Sequence, residues 1–200
     1  MDVAEAIRRR RSIKTFDPDY EIDDATLQEI FELVTRAPSS FNLQHWRFVV
    51  VRDPQRRERL RAASFGQRHV GEAAAVVVVA ARLDAHEDAA RVQGHVPDDE
   101  QRASLVKTIQ RFYAGKPQFQ RDEAIRSASL AAMTLMLVAQ AKGLATCPMI
   151  GFDPEQVRDI VELPENCFPV MLVVLGKPGE GEPFPTSRLP LSEVLKLESF

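Results

Sequence analysis

The run Val76-Val77-Val78-Val79, inside the apolar stretch Ala73–Ala81, constrains the fold more than any other segment. A strand with one wet face alternates apolar and polar residues. A continuous β-branched run fits instead a central strand covered on both faces. Phe168–Leu175 reads as a second strongly apolar strand, and Trp46–Val51 as a third, ended by Arg52-Asp53-Pro54.

Cover for such a sheet is written as helices. Asp2–Arg11 reads as the first, with Val3, Ile7 and Ala6 on its inner face. Asp23 or Asp24 caps a second, whose Leu27, Ile30, Phe31 and Val34 recur at helical spacing until Pro38 stops it. Pro54 opens a charged helix to about Ala63, and Asp153-Pro154-Glu155 opens another to about Val161. Asp122–Lys142 is a long helix ended by Gly143. It is apolar on almost every side, through Ile125, Ala128, Leu130, Met133, Leu135, Met136, Leu137 and Val138. A helix of this kind is buried all round. In a chain of this size that points to a second subunit as well as the helix's own sheet, although the core helix of a monomer fits the pattern equally. Its most apolar part, Ala128–Ala141, is interrupted by Ser129, Thr134 and Gln140 and is too short to span a bilayer. Leu144–Gly151 is an extended segment ending in a tight turn.

Leu83–Arg121 carries the weakest pattern. A helix from about Asp99 to Ala114, with Leu105, Ile109, Phe112 and Tyr113 on one face, makes it a variable helical insertion and a lid over a site. Asp84, His86, Glu87 and Asp88 fit no metal-ligand spacing and read as a solvated loop. Gly176–Gly181 lacks the spacing of a phosphate loop and reads as a turn. No repeat or linker divides residues 1–200, which read as one domain. The net charge of −3 argues against general nucleic-acid binding. With no apolar leader and only Cys147 and Cys167, each among core-like residues, a cytoplasmic protein with reduced thiols is expected.

No nucleophile elbow, His-Glu-x-x-His, paired-cysteine motif or dinucleotide fingerprint is present. If the chain is an enzyme, a cofactor carries the reaction. The chemistry concentrates instead in Arg8-Arg9-Arg10-Arg11-Ser12-Ile13-Lys14-Thr15-Phe16. Such a run fits the basic end of an amphipathic helix, which complements the helix dipole. Yet Lys14 and Phe16 follow Ser12 in alternation, so the cations continue into an extended segment. Arginine forks and a lysine point charge there suit a phosphate.

Read together, Arg10-Arg11-Ser12-Ile13-Lys14-Thr15-Phe16 and Ala37-Pro38-Ser39-Ser40-Phe41-Asn42-Leu43-Gln44-His45-Trp46 resemble the paired signature of the FMN-dependent nitroreductase family. The resemblance extends over almost the whole chain. It implies an α+β fold: a three-layer α/β/α sandwich on a central, mostly antiparallel mixed sheet, in an intertwined homodimer with FMN at the subunit interface. It implies that Arg10 holds the phosphate, with Arg11 and Ser12 nearby and Arg188 of the tail 184–200 as a second ligand. Lys14 is expected at the pyrimidine end of the flavin. Pro38, Ser39, Ser40 and Asn42 are expected from the partner subunit, and Gln67 and His69 near the pyrimidine ring. Pro148, Met149, Ile150 and Gly151 are expected along the flavin, the last two through their backbone. No metal is implied.

The implied activity is hydride transfer from NADH or NADPH through FMN to nitroaromatics, quinones or similar electrophiles, in ping-pong order. A same-fold reductase of conjugated carbonyls or halogenated substrates, and a flavin-binding sensor or carrier without turnover, are the rival readings. Three departures stand out: Ile150 where many members have Glu, Thr186 where some have a phosphate-binding lysine, and His45 where the family usually has Pro.

Overall fold

The computed structural model describes residues 1–181 and 183–200. In chain order the elements are α1 (Val3–Arg9), α2 (Asp24–Val34), β1 (Trp46–Val51), α3 (Pro54–Ala63), α4 (Arg68–Glu72), β2 (Ala75–Arg82), α5 (Ala89–Val92), α6 (Asp99–Tyr113), α7 (Pro117–Ala141), β3 (Ala145–Met149), α8 (Pro154–Ile160), β4 (Cys167–Gly176) and α9 (Leu191–Val194). Aspartates at 23, 53, 98 and 153 accept backbone N–H groups of the first turns of α2, α3, α6 and α8. These donors would otherwise be orphaned at the helix start.

The four strands form one sheet in the order β1-β2-β4-β3, antiparallel throughout. Parallel pairing, which the expected mixed sheet called for, is confined to a single bridge between Ser12 and Thr146. The valine run is central, and β2 is buried from Ala75 to Ala81. Its side chains divide by parity. Val77 and Val79 join Trp46, Val173 and Leu175 under α2 and α7. Val76 and Val78 join Leu172, Val174 and Cys147 under α3, α4 and α8. This alternation of faces makes the three layers. A bulge between Val79 and Ala80 sets Pro169 opposite Ala80, an irregular position where a residue without an N–H is tolerated.

Three expectations are corrected. First, α1 is shorter than Asp2–Arg11 and buries only Ala6. Val3 and Ile7, expected inside, are exposed, because the helix lies along the flank of α7 and turns that face outward. Second, α7 begins at Pro117 and runs 25 residues, long and apolar enough by length and composition to cross a membrane. Its small residues Ala124, Ser127, Ala128, Ala131 and Ala132 are spent in the core beneath the sheet, while Leu130 and Met133 face out. Third, Asp84 and Asp88 are not free solvated acids but half-buried and paired. Both pair with Arg82, which is largely buried, and Asn166 donates to both oxygens of Asp84. No cluster of metal-ligating side chains occurs among the described residues.

Candidate active site

The basic stretch leaves α1 and runs beside the outer edge of β3. Ile13 N–H donates to the Thr146 carbonyl at 3.0 Å, and Phe16 bridges to Pro178. Alternation then sets Phe16 inside, at 3% exposure, and leaves Ser12 and Lys14 on the outer side. Arg11 turns back, donating to the carbonyls of Arg8 and Arg10 at the end of α1. Arg8 and Arg9 lie near Glu5, whereas Arg10 and Lys14 form no ion pair among the described residues.

Ser12–Thr15 line a cleft of about 530 Å³ with Pro178, Gly179, Gly181, Pro183 and Phe184. Gly179 is what lets its two walls meet. Its N–H donates to the Thr15 carbonyl at 2.9 Å, and a Cβ there would stand 2.9 Å from the carbonyl carbon and oxygen of Phe16. Backbone cannot swing aside as a long side chain can. Gly179→Ala is therefore expected to cost about 1–3 kcal/mol, the usual range for overpacking. A thermal melt should show a midpoint several degrees lower, and an unchanged midpoint would mean that the two walls separate freely.

A second group converges from α4 and the end of β3. The Gln67 amide donates to the Gly151 carbonyl at 3.1 Å, and His69 Nε2 lies 3.2 Å from Met149 Sδ. Burial lowers the proton affinity of His69, and the Lys14 ammonium lowers it further against Glu72, so His69 is neutral at neutral pH. Lys14 also acts on Cys147, whose thiol burial pushes up; this is a core thiol and not a nucleophile. Met149 is buried, leaving only its backbone for a ligand. Ile150, in contrast, is 79% exposed at the strand's end.

The structure thus brings together Ser12, Lys14, Gln67, His69, Pro148, Met149, Ile150 and Gly151, with Arg10 and Arg11 just upstream. It does not bring Arg188 to them; its guanidinium donates to the neighbouring Ser187 carbonyl. Nor does it bring Pro38, Ser39, Ser40 and Asn42. These precede β1, whose Trp46 pairs with Ala81, which pairs with Phe168, whereas Thr146 pairs with Leu175. Three strand spacings across and Phe168-to-Leu175 along put Ser12, at Thr146, roughly 25 Å from the loop before β1, whereas Met149, which pairs with Leu172, lies nearer to it and is separated mainly by the width of the sheet. The 83–121 segment, expected as a lid, packs on this loop: Leu43 shares a cluster with Ala85, Ala89, Ile109 and Tyr113.

Two residues were not singled out from sequence. Thr146 is buried and holds the basic segment to β3, for which nothing in its neighbours gives a signal. Phe65 is 76% exposed, two residues from Gln67. It is held with φ 57° before Gly66 at φ 76°, where the chain turns off α3. An aromatic followed by glycine at a helix end was its signal.

The geometry is that of a two-faced α+β sandwich with a cleft along its edge strand, lined by Lys14, which forms no ion pair among the described residues. Residues 7–177 match the model of the nitroreductase family, and the chain belongs to that family of oxidoreductases. It is 42% identical over 202 residues to the NADH dehydrogenase of Thermus thermophilus, covering 98% of this chain and 95% of that one. The crystal structure of ydfN from Bacillus subtilis aligns with a TM-score of 0.94 at 37% identity, covering 97% of both chains. An Exiguobacterium sibiricum structure solved in complex with FMN aligns at 0.91 and 29% identity, covering 99% of this chain and 98% of that one.

Proposed function

We propose that the chain is an FMN-dependent oxidoreductase that uses NADH or NADPH to reduce nitroaromatics, quinones or similar electrophiles, and that it works as a homodimer in the cytoplasm. The observation that carries this reading is the separation, across the full width of one sheet, of the Lys14 segment beside β3 from the Ser39–Asn42 loop before β1. A single flavin touched by both Lys14 and the Ser39–Asn42 loop must lie between two copies. Exposed apolar residues supply the contact surface. Val3 and Leu33 border a groove with Leu137, and Phe184, Leu189, Leu191, Leu195 and Leu197 of the tail are exposed.

The residues present fit FMN. The cleft lies in the size range of small-molecule sites, Lys14 lines it without an ion-pair partner among the described residues, and Arg10 lies two residues before Ser12. Bound FMN would supply hydride transfer, accepting from the nicotinamide and donating to the electrophile in separate half-reactions. Arg10 and Ser12, joined by Arg188, would hold the phosphate. Lys14 would place positive charge beside the ring edge that becomes anionic on reduction. Gln67, oriented by the Gly151 carbonyl, and the Ile150 and Gly151 backbone would bind the ring's polar rim. Ile150 offers no proton where relatives carry a carboxylate, and His69 is neutral, so protons reach the acceptor from solvent.

The absorbance spectrum after reconstitution with FMN tests this. Anaerobic NADH or NADPH should bleach the flavin bands, and a quinone or nitroaromatic should restore them. Flavin that binds without bleaching would indicate a sensor or carrier, and failure to bind FMN would overturn the proposal.

A further inference from the structure

The interface between the 83–121 segment and the loop before β1 holds three buried polar atoms with no partner among the described residues: His45 Nδ1, His86 Nδ1 and the Tyr113 hydroxyl. All three belong to one ring cluster. Tyr113 stacks on His86, with centroids 5.3 Å apart and planes 16° from parallel, and its ring lies 6.1 Å from that of His45. The loop they hold is strained. Phe41, Asn42 and Gln44 have φ of 50°, 56° and 51°, left-handed conformations that side chains with a Cβ disfavour. Gln93, also buried, donates to the Phe41 carbonyl at 2.7 Å and fixes the loop from the same segment.

We propose that His45 is a positioning residue. In its neutral form it latches the Phe41–Gln44 loop to Tyr113 and His86, and its protonation releases the loop. The proposal rests on the reading above, in which this loop completes the partner's flavin site. His45 is 1% exposed. Burial is the main force against charging it. Glu123 of α7 favours the charge but is already engaged by Arg126 and the Ser127 hydroxyl, while His86 and Arg47 of β1 oppose it. The Tyr113 hydroxyl, on α6, lies beside the Ser40 hydroxyl of the loop, and the main chain of β2 closes the cluster through Arg82 N–H on the His45 carbonyl.

The sign follows from linkage. His45 is pushed down to about 4 in the latched state, against 6.5 for an ordinary histidine. The released loop therefore binds the proton more tightly. Latching is complete above that ordinary value, weakens as the pH falls toward about 4, and levels off below. Between about pH 7.5 and about pH 5 the latching constant should fall about 25-fold.

Trp46, the only tryptophan, is buried beside His45 and reports the latch without reference to flavin. The full-length protein saturated with FMN is titrated while Trp46 emission and the fluorescence of released FMN are followed. The expected result is a Trp46 transition with its midpoint between the two values above, accompanied by FMN release, and loss in His45→Gln of the Trp46 transition and of the FMN release that tracks it. If that variant does not fold, His86→Phe keeps the ring on Tyr113 but removes a group that opposes the charge, and the midpoint should rise. A Trp46 signal that is flat in the parent protein, or unchanged by His45→Gln, would overturn the latch. A Trp46 transition that follows His45 while FMN release stays flat would support the latch and overturn the loop's place at the flavin. His69 titrates on the Lys14 side of the molecule and would move FMN release without moving Trp46.

Discussion

Arg10→Ala is expected to release FMN, and Lys14→Ala to keep FMN but reduce it slowly. A charge-assisted bond to a phosphate contributes about 1.5–3 kcal/mol, so removing Arg10 should weaken FMN binding by roughly 10- to 150-fold. Lys14 sits farther along the extended segment, where its ammonium acts on His69 and Cys147 at the other end of the site. A cation there favours the reduced, anionic ring over the oxidised, neutral one. Its loss should slow flavin reduction about tenfold, the equivalent of about 1.4 kcal/mol in the barrier, with little change in retention. Stopped-flow bleaching by NADH and a fluorescence titration with FMN separate the two quantities. Equal losses of both properties in both variants would mean that the two cations act as one undivided patch.

Truncation before Phe184 is the second large effect. The described tail residues 183–200 are all exposed, so the core of the subunit loses nothing when they are removed. If the tail packs on a second copy, the dimer loses its anchors. Burying a single large apolar side chain contributes about 1.5–3 kcal/mol, so two such anchors already make a difference of roughly a hundredfold or more in dimer affinity. Arg188 leaves with the tail, as does Phe184 from the cleft wall. The truncated chain should therefore keep its secondary structure by circular dichroism, dissociate at micromolar concentration by light scattering, and lose FMN. A truncated chain that stays dimeric would place the subunit contact elsewhere, on the α1, α2 and α7 face alone.

The layers of the fold could be read from the sequence because each rests on a local pattern. Valines with no polar alternation demand two covered faces, and aspartate caps mark where the covering helices start. The order of the strands could not be read, since nothing local says that β4 inserts between β2 and β3. The cationic segment was visible as composition, but its attachment to β3 depends on a carbonyl at Thr146, which any residue would offer. Asp84 and Asp88 looked like solvent-facing acids because their partner, Arg82, closes a strand that otherwise reads as wholly apolar. His45 stood out only as a departure from a motif. Its burial among rings from three separate segments is a property of the folded chain.

The strand order also sets a timetable. β3 emerges from the ribosome before its ladder partner, β4, which lies about 20 residues downstream, while the segment of its outer bridge, at Ser12, is already made but must return from the start of the chain. Phe16 likewise waits for Pro178. A nascent or prematurely ended chain can pair β1 with β2, yet it exposes an apolar β2 edge and has no cleft at all. Long-range pairings of this kind close late and leave unpaired edges open to other chains. Cofactor capture is thus reserved for finished molecules, and the protein's exposure to misassembly is greatest in the interval before its last strand is made.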